Sequence, residues 1–166
     1  MRIVYSILLM IAAIQVQAQD CSMITTEHDE MTGDTIYNGE VIDISRSLSR
    51  YIPLRLKTID GQMYFGIAYA TIDLNGNVRF QMVTTDSKMI VMFLDGTKFT
   101  TARQNVTGIT HGAAQFPLTE KEVDLLRTKT IRKIRVYLHD SYGESEIKPK
   151  KAMKIKDTAN CLALIN

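Results

Sequence analysis

Between residues 51 and 101 apolar and polar side chains alternate in short runs, and tight-turn dipeptides separate most of these runs. Tyr51 to Ile59 places Ile52, Leu54 and Leu56 on one face and Arg55 and Lys57 on the other. A period of two marks a half-buried strand, because successive side chains leave opposite faces of the backbone. Asp60-Gly61 follows, a strong signal for a two-residue hairpin turn. Met63 to Thr71 then puts Met63, Phe65, Ile67 and Tyr69 on one face, with small residues opposite. Asn75-Gly76 turns the chain into Val78, Phe80 and Met82, which alternate with Arg79 and Gln81. Met89 to Leu94 is apolar on both faces, as expected of a central strand or one covered by a helix. Asp95-Gly96 leads from it into a strand over Lys98 to Thr101.

The period changes in the last third. Thr119-Glu120-Lys121-Glu122 fits a capping box, in which the threonine hydroxyl and the second glutamate satisfy free amides at a helix start. Leu118 and Val123 occupy the flanking staple positions, Pro117 stops any earlier helix, and the helix should bury Val123 and Leu126 before ending near Thr128. Ile131 to Leu138 returns to a strand, with Ile134, Val136 and Leu138 inward and Lys133, Arg135 and Tyr137 outward. A turn at Ser141 to Gly143 leads to one more short strand near Glu146 and Ile147. Ala152, Ile155, Ala159 and Leu162 recur at spacings of three and four, which predicts a closing amphipathic helix. Residues 21–45 read as one or two edge strands around a turn at Met31-Thr32-Gly33-Asp34. The fold class implied is α+β: mainly an antiparallel β-sheet meander with one or two helices in the C-terminal third.

The start of the chain has a different character. Arg2 supplies a positive n-region, Ile3 to Ile14 an apolar h-region, and Val16-Gln17-Ala18 small or modest residues before Gln19. These are the parts of a cleavable signal peptide. About 12 apolar residues are too few to cross a bilayer, which takes roughly 20. Gln19 and Asp20 stand where a lipobox carries small apolar residues, which argues against a lipid anchor on Cys21. Residues 1–18 are therefore expected to be a signal peptide, residues 19–166 a single β-rich domain, and the product exported, periplasmic or secreted. No later stretch could span a membrane as a helix.

Composition changes this picture little: 45% apolar and 23% charged residues are ordinary for a globular chain. The net charge of +2 implies no partner by itself, but its distribution is uneven. Residues 19–60 hold eight acidic and four basic side chains, and residues 119–166 hold seven acidic and eleven basic. Either the two ends neutralise each other across one fold, or the asymmetry attracts a charged partner. The basic residues that would form such an interaction face are Arg132, Lys133, Arg135, Lys150, Lys151 and Lys154. Acidic polysaccharide, anionic lipid or an acidic protein would suit them. Nucleic acid would not, since no aromatic platform or reading motif is evident and an exported protein rarely meets it.

Cys21 and Cys161 are the two cysteines, near opposite ends of the mature chain. An even count in an exported protein permits a bridge, and two free thiols with one buried is the alternative.

Cys21 followed by His28-Asp29-Glu30-Met31-Thr32-Gly33, the Asp95-Gly96 hairpin, and the block Phe116 to Leu138 with the terminal Cys161-Leu162 carry a resemblance. They resemble a set of uncharacterised small exported β-rich proteins of Bacteroidetes. The resemblance implies a β-rich domain with one or two helices and export to the cell envelope. It implies no activity and supplies no catalytic residue.

Candidate chemistry is sparse. His28-Asp29-Glu30 clusters three ligand types beside Glu27, but on a strand His28 and Glu30 point one way and Asp29 the other, so a solvated turn is expected. Asp73-Leu74-Asn75-Gly76-Asn77 departs from a calcium loop, its glycine coming fourth rather than sixth and no glutamate closing it. His111 within Thr110-His111-Gly112, and His139 beside Asp140, read as surface residues. Asn105-Val106-Thr107 matches a glycosylation acceptor, uninformative in bacterial export. No Gly-x-Ser-x-Gly elbow or phosphate-cradling glycine loop occurs. No cofactor is implied. The expectation is a non-enzymatic envelope or secreted protein that binds a protein or polysaccharide partner. The alternatives are a secreted hydrolase of unidentified site and an accessory or inhibitor-like module.

Overall fold

The computed structural model describes residues 20–46, 50–80, 87–102, 113–137 and 142–165. Outside these lie the expected signal peptide, the continuation of the Val78–Phe80 run through Gln81 and Met82, the Asn105-Val106-Thr107 sequon, His111, Leu138, His139, Asp140 and Ser141.

Twelve strands and two helices occur among the described residues. In chain order they are β1 (Thr25–His28), β2 (Thr35–Asn38), β3 (Ile42–Arg46), β4 (Arg50–Ile59), β5 (Gln62–Ala68), β6 (Ala70–Ile72) and β7 (Val78–Phe80). Then come β8 (Lys88–Phe93), β9 (Lys98–Ala102), β10 (Ala113–Pro117), α1 (Glu120–Thr128), β11 (Ile131–Tyr137), β12 (Tyr142–Glu146) and α2 (Pro149–Ile165). All strand pairings among the described residues are antiparallel. The α+β class and the hairpin-rich sheet follow the expectation from the sequence.

The strands form two sheets. The first runs β1-β2-β4-β5-β10, with β3 and β6 also on β4 and β7 on β6; the second runs β12-β11-β8-β9. β4 is the hub of the first sheet, because its ten residues are long enough to pair β3 and β2 along one side and β6 and β5 along the other. The Asp60-Gly61 turn that joins it to β5 has both residues at positive φ, +47° and +77°. That is the backbone whose twist matches a hairpin and which glycine adopts without strain.

Leu54, Leu56, Phe65, Ile67 and Phe116 from the first sheet meet Met89, Val91, Phe93, Ile134 and Val136 from the second in one buried cluster. Ile155, Ala159 and Leu162 of α2 and Leu126 of α1 belong to the same cluster. Each fully buried leucine, isoleucine or phenylalanine contributes roughly 1.5–3 kcal/mol. Side-chain bonds also link the sheets at their margins: Ser145 Oγ donates to Ile44 O at 3.3 Å, and Thr101 Oγ1 to Pro117 O at 3.1 Å.

Both helices begin as their sequences dictate. The capping box of α1 is closed, Thr119 N donating to Glu122 Oε2 at 2.7 Å and Glu122 N to Thr119 Oγ1 at 3.4 Å. Pro149 opens α2 at the one helical position where a missing N–H costs nothing. α2 approaches the first sheet closely at Gly39, where a Cβ would stand 2.4 Å from Thr158 Cγ2 and 2.9 Å from Leu56 O. Its C-terminal turn is tied to the N-terminal segment, with Cys21 and Cys161 Sγ atoms 2.06 Å apart and Cα atoms 5.5 Å apart. Of the two cysteine readings, the bridge is therefore the one the fold adopts.

Four details differ from the pattern expected. Residues 21–45 form three strands rather than one or two, and β2 lies inside the sheet between β1 and β4. The run Met63 to Thr71 is interrupted at Tyr69 and continues as β6, which moves up β4 to pair Arg50 and Tyr51. Val78 and Phe80 are exposed on the outer hairpin β6–β7. β10 was not expected, since Ala113-Ala114-Gln115-Phe116-Pro117 carries little β propensity; its long-range pairing with β5 imposes the strand.

Candidate interaction face

The outer face of the second sheet is a grid of cations, tyrosines and apolar side chains, and strand register alone sets it. On β11, alternation turns Ile134 and Val136 into the core and Lys133, Arg135 and Tyr137 outward. A register shift between Ile131 and Lys133 adds one residue to β11 there, so exposed Arg132 precedes outward Lys133 rather than alternating with it. β12 sets Glu146 opposite Lys133, Glu144 opposite Arg135 and Tyr142 opposite Tyr137. On the other side, β8 sets Met92 opposite Lys133 and Ile90 opposite Arg135, and β9 continues with Lys98 opposite Met92.

Opposite charges on facing strands pair as cross-strand neighbours should. Glu144 is held from two sides: Lys133 Nζ donates to its Oε1 at 2.9 Å and Arg135 Nε to its Oε2 at 2.7 Å. Those bonds, first from Lys133 and then from Arg135, hold the Glu144 carboxyl below the usual glutamate range. Arg135 also donates to the Tyr137 hydroxyl at 3.4 Å, and this bond together with Glu144 raises its pKa further above the usual arginine value. Its guanidinium carbon lies 4.7 Å from the Tyr142 ring centre, and Lys88 Nζ lies 4.7 Å from that of Tyr137. The two tyrosine rings are 6.2 Å apart, tilted at 44°. A shallow depression of about 210 Å³ opens between Ile90, Met92, Lys98, Lys133, Arg135 and Glu144.

The six basic residues singled out in the sequence divide between two places. Arg132, Lys133 and Arg135 belong to this sheet face. Lys150, Lys151 and Lys154 belong to α2, where Lys150 is exposed, Lys151 Nζ donates to Asp43 O, and Lys154 pairs Glu40 at 2.6 Å. Lys154 thus neutralises one carboxylate of the acidic N-terminal region, and that part of the charge asymmetry is settled within the fold. Lys88, Lys98, Tyr142 and Glu144 were missed from the sequence. Alternation within each strand was visible, but that β8 lies beside β11 was not.

The other candidates take local roles. Asp29 Oδ1 accepts from Met31 N at 2.9 Å and Thr32 N at 3.3 Å, shaping the β1–β2 turn, while His28 ends exposed β1. Asp73 accepts from Asn75 N and Asn77 N, each at 2.9 Å, which closes the β6–β7 hairpin. Among the described residues no helix is long and apolar enough to cross a membrane, and no group of three His, Cys, Asp or Glu is placed to hold a metal ion. No family model, curated protein or solved structure matches this chain.

Proposed function

We propose that the chain is an exported, non-enzymatic binding protein whose outer β12-β11-β8-β9 face takes an acidic polysaccharide. The observation that carries this reading is the arrangement of Arg135: paired to Glu144, stacked on Tyr142 and bonded to Tyr137. Ion pairs and packing hold its guanidinium in place, so little side-chain freedom is lost on binding. Lys88, Lys98, Arg132, Lys133 and Arg135 outnumber Glu144 and Glu146 on and beside this face, which favours a polyanion. Tyrosine rings offer flat apolar surfaces against which a sugar ring can pack while its carboxylates meet the cations. Export is supported by the leader-like first 18 residues, by the Cys21–Cys161 bridge, which suits an oxidising compartment, and by the resemblance to small exported proteins.

Titration calorimetry with polygalacturonate tests this. Binding is expected at low ionic strength, to weaken steadily as salt rises, and to fall at least tenfold in both Arg135→Gln and Tyr142→Ala. Equal binding by wild type and both variants, or none at low salt, overturns the assignment.

A further inference from the structure

The first sheet has an outer face of its own, and register places three unlike residues side by side across its centre: Arg55 on β4, Gly66 on β5 and Gln115 on β10. Two register positions along, Lys57 stands beside Tyr64 on the same face. The absence of a side chain at Gly66 leaves a dip between its neighbours. The groove over it measures about 240 Å³ and is lined also by Val41, Pro53 and Ala68. That volume lies below the roughly 300–1,000 Å³ of pockets for drug-sized ligands, so an occupant would be small.

Two cations of like sign flank this groove on one strand. Neither Arg55 nor Lys57 forms an ion pair among the described residues. The Glu27 carboxylate, which accepts from Asn38 Nδ2 at 3.3 Å, favours the charged lysine, but it is the smallest of the three influences on it. Partial burial and then the nearby Arg55 push the Lys57 ammonium below the usual lysine range. A negative charge placed between the two cations would offset their repulsion and favour the charged lysine.

We infer that this groove is a second binding site, independent of the polysaccharide face, for a small organic anion. Its acidic group would sit between Arg55 and Lys57, and its apolar body would lie over Gly66 and Ala68 against Pro53. The residues present match both halves of such a ligand, a cationic pair at one end and apolar surface with no bulky side chain beyond it. An uncharged molecule of the same shape would leave the repulsion between Arg55 and Lys57 unrelieved.

The matched pair 4-phenylbutyrate and 4-phenylbutanol separates charge recognition from apolar contact, read by amide chemical shifts of the full mature chain. Saturable shifts are expected in residues 54–57, 66–68 and 115 with 4-phenylbutyrate, with at least tenfold weaker binding of the alcohol. Arg55→Gln and Lys57→Met should each weaken the carboxylate at least fivefold, with unchanged amide dispersion showing that the fold is kept. Shifts confined to the β8–β12 face, equal affinity for the alcohol, or undiminished binding by both variants would overturn the site. Because this probe does not require the polysaccharide face, failure of either site leaves the other standing.

Discussion

Tyr69 packs the Cδ2–Cε2 side of its ring directly against Gly143: a Cβ on Gly143 would come within 2.5 Å of both atoms. Tyr69 is the residue at which β5 breaks into β6 in the first sheet, and Gly143 is buried in β12 of the second. The contact therefore bridges the two sheets and uses the one residue type that lets a ring approach backbone so closely. Gly143→Ala should destabilise the fold by about 2 kcal/mol, the range for overpacking a buried site. Tyr69→Ala should lose packing in its turn. The double variant should be more stable than the sum of the two losses implies, because the clash disappears with the ring. Urea denaturation of the four chains checks this, and strict additivity would show that the ring moves aside freely.

The Cys21–Cys161 bridge closes a sequence separation of 140 residues. In the chain-entropy account a loop of that length is worth about 5 kcal/mol, nearly all through the unfolded chain. Cys161 is fully buried on α2, and the segment it tethers carries Met23, whose sulfur accepts from the Thr158 hydroxyl at 3.4 Å. Cys21→Ser with Cys161→Ser should therefore lower the midpoint of thermal unfolding sharply. It should also expose residues 20–24 to limited proteolysis before the rest of the domain is cut. Unchanged protection of that segment would mean that the contacts of Met23 hold it without the bridge.

Local grammar was the legible part of this fold. Asp60-Gly61 signals a turn, the alternation in β4 and β11 assigns inward and outward faces, and Thr119 with Glu122 marks the start of a helix. Partnerships across long stretches were not legible. β10 pairs with β5 about fifty residues earlier, and β11 with β8 about forty earlier, and side-chain alternation says nothing about which distant strand lies alongside. The candidate face depends on that second pairing. Lys133, Arg135 and Tyr137 could be assigned outward, whereas their neighbours Ile90 and Lys88 could not be added to them. The same limit hid Gly66: a glycine in a strand signals a close approach or a gap, and only the neighbours Arg55 and Gln115 make it a groove.

Thr58 and Thr101 allow one substitution to be read with two signs. Both are buried. The Thr58 hydroxyl finds no hydrogen-bond partner among the described residues, while Thr101 Oγ1 donates to Pro117 O between the sheets. A buried hydroxyl without a partner carries its desolvation penalty unrelieved, so Thr58→Val should stabilise by about 1 kcal/mol. Thr101→Val keeps the shape but strands the Pro117 carbonyl, and should destabilise by about 1 kcal/mol. Chemical denaturation of both variants measures the difference. Two losses of similar size would indicate that Thr58 has a water partner inside the core.

Asp95 provides a prediction about acid. Lys129 Nζ donates to Asp95 Oδ2 at 2.7 Å, joining the β8–β9 turn to the end of α1, and Thr97 N donates to Asp95 Oδ1 at 2.9 Å. The Lys129 bond first, and the Thr97 amide second, lower the carboxyl from 3.8 to about 2. A depressed folded-state value means that the unfolded chain takes up this proton first. The contribution to stability is therefore present above pH 3.8 and is lost as pH falls toward about 2. Lys129→Met removes the larger cause and leaves the smaller, so the Asp95 carboxyl should titrate between those two values. The carboxyl carbon shift of Asp95, followed by nuclear magnetic resonance from pH 5 to pH 1.5, checks the midpoint directly. The same variant should also show a shallower loss of stability across that window. A midpoint still near 2 without the lysine would assign the depression to the turn amide of Thr97, and the link from turn to helix would then contribute nothing to acid resistance.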